Sequence, residues 1–153
     1  MDIEILRKYS KGLICTSACI AGFVSQALIN DEFDKARKVA SEYIDIFGKD
    51  DFYIELQHNG LDVQVLANQR LIKLARELGV KIVATNDAHY LNREDSYSHE
   101  VLLCVQTGKK MIDEDRMRFG TDEFYIKSID EMYDNFKNMP EVLENTVEIA
   151  NKC

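Results

Sequence analysis

The chain has 153 residues, of which 46% are hydrophobic and 30% charged, and its formal net charge at pH 7 is −8. This composition is typical of one globular domain with a hydrophobic core and argues against a disordered chain. No apolar run reaches the roughly 20 residues of a membrane-spanning helix, so no membrane partner is expected. The negative charge argues against DNA binding by the chain alone, although a segment of a longer protein need not share the charge of the whole.

The four cysteines do not have the spacing of a disulfide framework. They are Cys15, Cys19, Cys104 and Cys153. Cys15 and Cys19 form a C-x3-C pair, but no second pair follows, which argues against a closed zinc finger. The first residues also lack the basic start of a signal peptide. We therefore expect a reducing, cytoplasmic location.

Hydrophobic periodicity alternates between strand-like and helix-like segments, which predicts an α/β fold. In chain order the pattern predicts a short helix over 2–9, a strand over 12–16, a helix over 20–29, a helix capped by Asn30 or Asp31 and ended by Gly48, a strand over 52–57, a helix over 63–78 ended by Gly79, and a strand over 81–85. A helix, a loop and two further helices complete the chain. Ser128 and Glu131 have capping-box spacing, and Pro140 suits the first turn of the last helix.

Strands joined by helical crossovers of this length are expected to pair in parallel. The carboxyl ends of parallel strands meet at one edge of the sheet, which is where α/β folds place their chemistry. Polar or reactive residues follow all three predicted strands, over 16–19, 57–60 and 86–90. We expect these three segments to meet.

Asp87 and His89 form the sharpest candidate pair. Two residues apart in extended backbone, a carboxylate and an imidazole point to the same side and suit a divalent zinc, manganese or iron ion. In the structural alternative, Asp87 caps a turn and His89 is a half-buried loop residue. By spacing alone, the structural alternative is the commoner one.

The other candidates are weaker. His58 after a strand is more often a solvated turn residue than a ligand, and Cys19 alone is more often a small buried hydrophobe. Glu55 is either a sheet-face carboxylate or a site residue.

His99 falls off the face defined by Tyr97, Val101, Cys104 and Val105, which indicates a surface position. The mixed charges over 109–118 indicate a solvated loop, and the phosphate-loop, dinucleotide-binding and nucleophile-elbow motifs are absent from the sequence.

Seven stretches together resemble one family. They are KGLI (11–14), SACIAG (17–22), FYIELQ (52–57), VATNDAHYL (83–91), LLCVQTGK (102–109), EFYIKS (123–128) and PEVLENT (140–146). In this order they are similar to the later part of the PHP (polymerase and histidinol phosphatase) domain of bacterial DNA polymerase III alpha subunits. The resemblance covers nearly the whole chain, and its Thr-Asn-Asp-x-His-Tyr segment is quite specific.

The resemblance implies a distorted (β/α)7 barrel with metals at the carboxyl rim of its strands. We therefore expect an α/β fold, a partial (β/α) barrel of PHP type with mainly parallel strands, followed by a helical C-terminal extension. Residues 1–127 would be the incomplete PHP segment, and 128–153 a helical tail leading toward the polymerase palm. The family's opening His-x-His motif and its palm are not in the sequence, so we expect a segment of a larger polymerase.

By resemblance, Asp87 and His89 match the family's final D-x-H ligand pair, and Cys19 falls where the family places a Cys or His ligand. The family's Glu-Leu-Gln-x-His-Gly pattern is altered, because His58 comes one residue early and Asn59 occupies the expected place. The expected metal ligands are therefore Asp87, His89, Cys19 and His58. No catalytic residue is expected within the chain itself.

The resemblance implies that the parent protein is a DNA-directed DNA polymerase whose PHP domain is a phosphoesterase-like proofreading nuclease or a stabilising module. Its partners would be DNA, deoxynucleoside triphosphates, a proofreading subunit and a sliding clamp. Zinc or manganese would occupy the complete PHP site and magnesium the polymerase site, with no tight metal binding by the chain alone. The alternatives are a stand-alone PHP-family metal-dependent phosphoesterase and a purely structural or interaction domain.

Overall fold

A parallel sheet of three strands, which lie side by side in chain order, organises the chain. The structure, a computed structural model, describes residues 3–153. Within them the elements are α1 (Ile3–Tyr9), β1 (Cys15–Thr16), α2 (Phe23–Ile29), α3 (Phe33–Phe47), β2 (Phe52–Gln57), α4 (Asp62–Leu78), β3 (Lys81–Thr85), a 3₁₀ turn (Arg93–Asp95), α5 (Ser96–Thr107), α6 (Ile129–Asn135) and α7 (Glu141–Lys152). The first residue of the predicted 2–9 helix, Asp2, lies outside the described residues.

The strand pairing confirms the predicted parallel α/β fold. Thr16 of β1 lies beside Tyr53 of β2, and the register between β2 and β3 runs from Tyr53–Lys81 to Gln57–Thr85. The predicted strand over 12–16 is shorter than expected. Gly12 has a left-handed backbone (φ 78°), and the Leu13 amide donates to the Ser10 carbonyl in a turn. The chain therefore becomes extended only near Cys15.

The two faces of the sheet differ in polarity. Because side chains alternate along a strand, residues paired in register share a face. One face carries Cys15, Phe52, Ile54, Leu56, Ile82 and Ala84, which belong to the hydrophobic core with residues of α2, α3 and α4. The opposite face carries Thr16, Glu55, Gln57 and Thr85 toward the ends of the strands. This polar face is the one that can carry a site.

The start of α3 corrects one prediction. Neither Asn30 nor Asp31 caps this helix; its N-cap is Glu32. The Asn30 side chain instead donates back to the Gln26 carbonyl, which ends α2, and Asp31 is left-handed (φ 61°). Polar residues between two consecutive helices can cap the end of the first or the start of the second. Here Asn30 caps the end of α2. The predicted helix ends at Gly48 and Gly79 are confirmed.

Of the last two helices, α7 closes one edge of the sheet. The predicted capping box of α6 is confirmed, since Ser128 Oγ accepts from the Glu131 amide at 3.3 Å and Glu131 Oε2 accepts from the Ser128 amide at 2.8 Å. Along α7, Val142 and Leu143 enter the hydrophobic core, and Asn145 Nδ2 donates to the Ile82 carbonyl at 2.8 Å. α7 therefore covers the outer edge of β3.

A carboxylate fixes the far end of α7. Glu148 accepts a hydrogen bond from Lys81 at 2.5 Å and another from the hydroxyl of fully buried Tyr53 at 2.8 Å. These two hydrogen bonds, from Lys81 first and then Tyr53, lower the pKa of Glu148 to about 2. Within residues 3–153, no helix is long and apolar enough to cross a membrane.

We expect Glu148→Gln to be less stable than the unchanged chain at pH 6, with a difference that shrinks as the pH falls. A carboxylate whose folded-state pKa is lowered stabilises the fold above its unfolded pKa, and this contribution is lost between about pH 4.5 and pH 2. Urea denaturation followed by circular dichroism at several pH values measures the difference. Glu144→Gln, exposed on the same helix, is the control. A Glu148→Gln difference that stays constant down to pH 2 would contradict this role.

Candidate functional site

The three strands end at one edge of the sheet, which we call the carboxyl edge. The loops that follow them begin at Ser17, His58 and Asn86, as parallel pairing requires. At the third loop, His89 Nε2 lies 3.3 Å from Asp87 Oδ1. The two predicted side chains therefore meet. The reason differs from the expected extended backbone, because Asp87 is left-handed with φ 49°.

A segment from much later in the chain supports the Asp87–His89 loop. The His89 amide donates to the Phe124 carbonyl at 2.7 Å, and the Asn86 side chain donates to the Tyr125 carbonyl at 2.9 Å. Tyr90 and Tyr125 form a parallel bridge. The loop thus has strand-like pairing on one side, supplied by residues more than 30 positions away in sequence.

His99 is not at the surface, which corrects the prediction. Its ring lies half-buried, 5.7 Å from the ring of His89 and 4.8 Å from that of Phe119, measured between centroids. Burial, and then the nearby His89, lower the pKa of His99. Tyr97 and Val105 of the same helix are instead 68% and 76% exposed.

The cause of that error lies in what α5 packs against. The inward side of α5 contacts the loop after it, where Arg116 donates to Glu100 at 2.6 Å. The same loop places the Phe119 ring against His99, so polar residues of α5 are covered by partners from outside the helix, and hydrophobicity along α5 alone does not identify its buried side. The buried residues of α5 are Leu103 and Cys104.

The loop after β1 is closely folded. Ala18 is left-handed (φ 62°), and the Gly22 amide donates to the Cys19 carbonyl at 2.9 Å. A Cβ atom on Gly22 would lie 2.6 Å from the Ser17 carbonyl oxygen, so only glycine fits there. Cys19 is a half-buried free thiol in this loop.

His58 and Asn59 point to different surroundings. His58 is exposed, and its ring meets Phe136 edge-on at 6.4 Å, beside a groove of about 350 Å³ that also contacts Asn68 and Met139. Asn59 is only 1% exposed, and neither its side-chain oxygen nor its nitrogen has a hydrogen-bond partner among the described residues. The side chain turned into the interior is therefore that of Asn59.

The four predicted metal ligands do not come together as one group. Across residues 3–153, no three His, Cys, Asp or Glu side chains lie close enough to hold a metal ion. Of the predicted set, the structure joins Asp87 to His89 and does not add Cys19 or His58 to them. The described residues alone therefore do not fit a metal centre, and the four-residue site stays a prediction.

Glu55 lies at the centre of the polar face. Its Oε2 accepts from the Thr16 hydroxyl at 2.5 Å, and its Oε1 accepts from the Thr85 hydroxyl at 2.5 Å and from Gln57 Nε2 at 3.0 Å. We call these four residues the Glu55 network. Sequence reasoning left Glu55 open between a sheet-face and a site residue. Thr16 and Thr85, the last residues of the two flanking strands, were the sequence signal that could have identified the role of Glu55.

Backbone strain at Ala18 is testable. A non-glycine residue in the left-handed region costs roughly 1–2 kcal/mol, so we expect Ala18→Gly to stabilise the chain by about 0.5–1 kcal/mol after the entropy of the unfolded chain is included. Ala21→Gly, in the same loop but without a positive φ, should instead destabilise it. Urea denaturation compares the two. Equal destabilisation by both changes would show that Ala18 is not left-handed.

The chain matches known proteins along its whole length. A family model described as "PHP domain" matches residues 1–59. DNA polymerase III subunit alpha is 48% identical over 153 residues in Borreliella burgdorferi, 42% over 153 residues in Treponema pallidum and 42% over 156 residues in Thermus aquaticus. Each alignment covers 100% of this chain and 13% of the relative's own length. The chain is therefore similar, over its whole length, to one segment of bacterial DNA polymerase III alpha subunits, and its first 59 residues match the PHP domain.

Proposed function

We propose that the chain forms part of the PHP domain, and the helices after it, of a replicative DNA polymerase. The whole protein elongates DNA from deoxynucleoside triphosphates in the cytoplasm, with magnesium at its polymerase site, and works with a proofreading subunit and a sliding clamp. Residues 1–127 are the PHP part, and 128–153 lead toward the palm. The observation that carries this proposal is the match of all 153 residues to one segment of the alpha subunits.

The open edge of β1 supports the view that this sheet is part of a larger barrel. Among residues 3–153, β1 pairs with β2 and with no other strand. The opposite edge, at β3, is covered by α7 through Asn145. An uncovered edge leaves backbone donors and acceptors ready to pair with another strand. In the barrel that we propose, a strand from outside this chain pairs there.

At the carboxyl edge, we propose that Asp87 and His89 supply part of a divalent metal site. Their 3.3 Å contact supports this role, since a carboxylate and an imidazole are ligands that zinc and manganese accept. Cys19, on the loop after β1, and His58, on the loop after β2, are the other two proposed ligands from this chain. The remaining ligands come from outside the chain, because the described residues hold no group of three. The chain by itself therefore binds metal weakly and has no nuclease or polymerase turnover.

The same shortage of ligands supports a second candidate, in which this PHP segment is a purely structural module of the polymerase. The two candidates differ in one observable quantity, the amount of metal bound at the carboxyl edge in the assembled protein. They agree that the chain alone is inactive.

Calorimetric titration of the purified chain with zinc or manganese, with a phosphodiester nuclease assay alongside, tests the prediction for the chain alone. We expect no saturable binding at micromolar metal and no metal-dependent cleavage. Incomplete coordination, and the loss of supporting groups worth about 10–100-fold each in affinity, account for this. Micromolar binding that disappears in Asp87→Asn, together with cleavage, would show a self-sufficient phosphoesterase instead.

A chimera tests the role in the whole protein. In a homologous alpha subunit whose aligned segment is replaced by this chain, we expect primer extension to be retained. Loss of primer extension would contradict the proposed equivalence. Asp87→Asn with His89→Ala in the chimera should keep primer extension and lower the zinc or manganese content measured by mass spectrometry. Unchanged metal content would favour the structural module.

A further inference from the structure

The Glu55 carboxylate connects the central strand to both of its neighbours. One carboxylate oxygen accepts from Thr16 on β1, and the other accepts from Thr85 on β3, each at 2.5 Å. Hydrogen bonds from a hydroxyl to a carboxylate at this separation are among the stronger ones in proteins. The Glu55 amide also donates to Ser17 Oγ at 2.9 Å, just beyond the end of β1. A single residue thus contacts the end of every strand in the sheet.

These contacts depend on the register of the strands. Thr16 pairs with Tyr53 and Thr85 pairs with Gln57, so the two hydroxyls lie on either side of Glu55 along β2. Side chains alternate between faces, so a slip of one residue in β1 or β3 would move a hydroxyl to the opposite face. Both hydrogen bonds form only when all three strands are in the observed register.

The residues held by Glu55 lead directly into strained loops. Thr16 is followed by left-handed Ala18 (φ 62°) and then Cys19, and Thr85 is followed by left-handed Asp87 (φ 49°). Such conformations persist only where the surrounding structure holds them. The hydrogen bonds of Thr16 and Thr85 to Glu55 therefore hold the residues from which these two loops start.

We propose that Glu55 is a positioning residue, which fixes the ends of β1 and β3 so that the loops carrying Cys19 and Asp87 keep one arrangement at the carboxyl edge. This inference rests on the proposed function, because the proposed metal site is what requires these loops to keep one arrangement. Glu55 does not itself join a ligand group among the described residues. Its effect passes through Thr16 and Thr85.

Hydrogen exchange of the folded chain, measured by NMR at several low urea concentrations, distinguishes positioning from general stability. In Glu55→Ala we expect the hydrogen-bonded amides of Ser17, Ala18 and His89 to exchange at least about 10-fold faster, by local openings that do not depend on urea. Glu55→Gln keeps a side chain that can bond to both threonines, and it should restore most of the protection. The matched control is Ile54→Val, which removes one methyl group from the opposite face of the same strand.

A uniform acceleration across β2 and α4 in Glu55→Ala, as in the control, would overturn the proposal. If Glu55→Ala does not fold, Thr16→Val and Thr85→Val give the test separately, since each removes one hydroxyl with little change of shape. Thr16→Val should accelerate exchange at Ser17 only, and Thr85→Val at His89 only. The Ala18 amide is left out of this comparison because it donates to the Thr16 hydroxyl that the variant removes. Acceleration of both loops alike by each variant, or of neither, would contradict it. No metal enters this measurement, so its failure is distinct from failure of the proposed metal site.

Discussion

Parallel pairing of the three strands is the constraint on which the rest of the structure depends. It puts the carboxyl ends of all three strands at one edge of the sheet. It also places residues that pair across adjacent strands on the same face. Helices α2, α3 and α4 cover the face that carries Phe52, Ile54 and Leu56. The opposite face does not join that core and carries the Glu55 network instead. Separating the faces in this way allows a carboxylate within a central strand, where an isolated charge between two apolar layers would be costly.

The carboxyl edge is assembled from parts that are far apart in sequence. The PHP-domain match ends at residue 59, yet the Asp87–His89 pair lies beyond it and is held by Phe124 and Tyr125. The outer edge of β3 is in turn covered by α7 near the end of the chain. The site region and the C-terminal helices therefore form one structure around the sheet. This integration agrees with relatives whose alignments cover the whole chain.

Sequence reasoning succeeded where a local pattern decides the outcome. β2, β3 and α4 have strong periodicity and clear stop signals. The spacing of Asp87 and His89 predicted their contact, although a left-handed Asp87 and not an extended backbone produces it. It failed where a tertiary partner decides. The inward side of α5, with His99, faces a loop that supplies Arg116 and Phe119, and these partners cannot be identified from the hydrophobicity of α5 alone. The meeting of Thr16 with Glu55 depends on strand register, which no local pattern contains.

The most direct measurement is a nuclear Overhauser spectrum of the folded 153-residue chain with labelled threonine methyl groups. Because Glu55 accepts hydrogen bonds from both Thr16 and Thr85, we expect cross-peaks from the methyl groups of both threonines to the side-chain protons of Glu55. Cross-peaks to both threonines would place the ends of β1 and β3 on either side of Glu55, as the observed register does. A folded chain in which Glu55 shows contact with only one threonine, or with neither, would contradict the register and the carboxyl edge built on it.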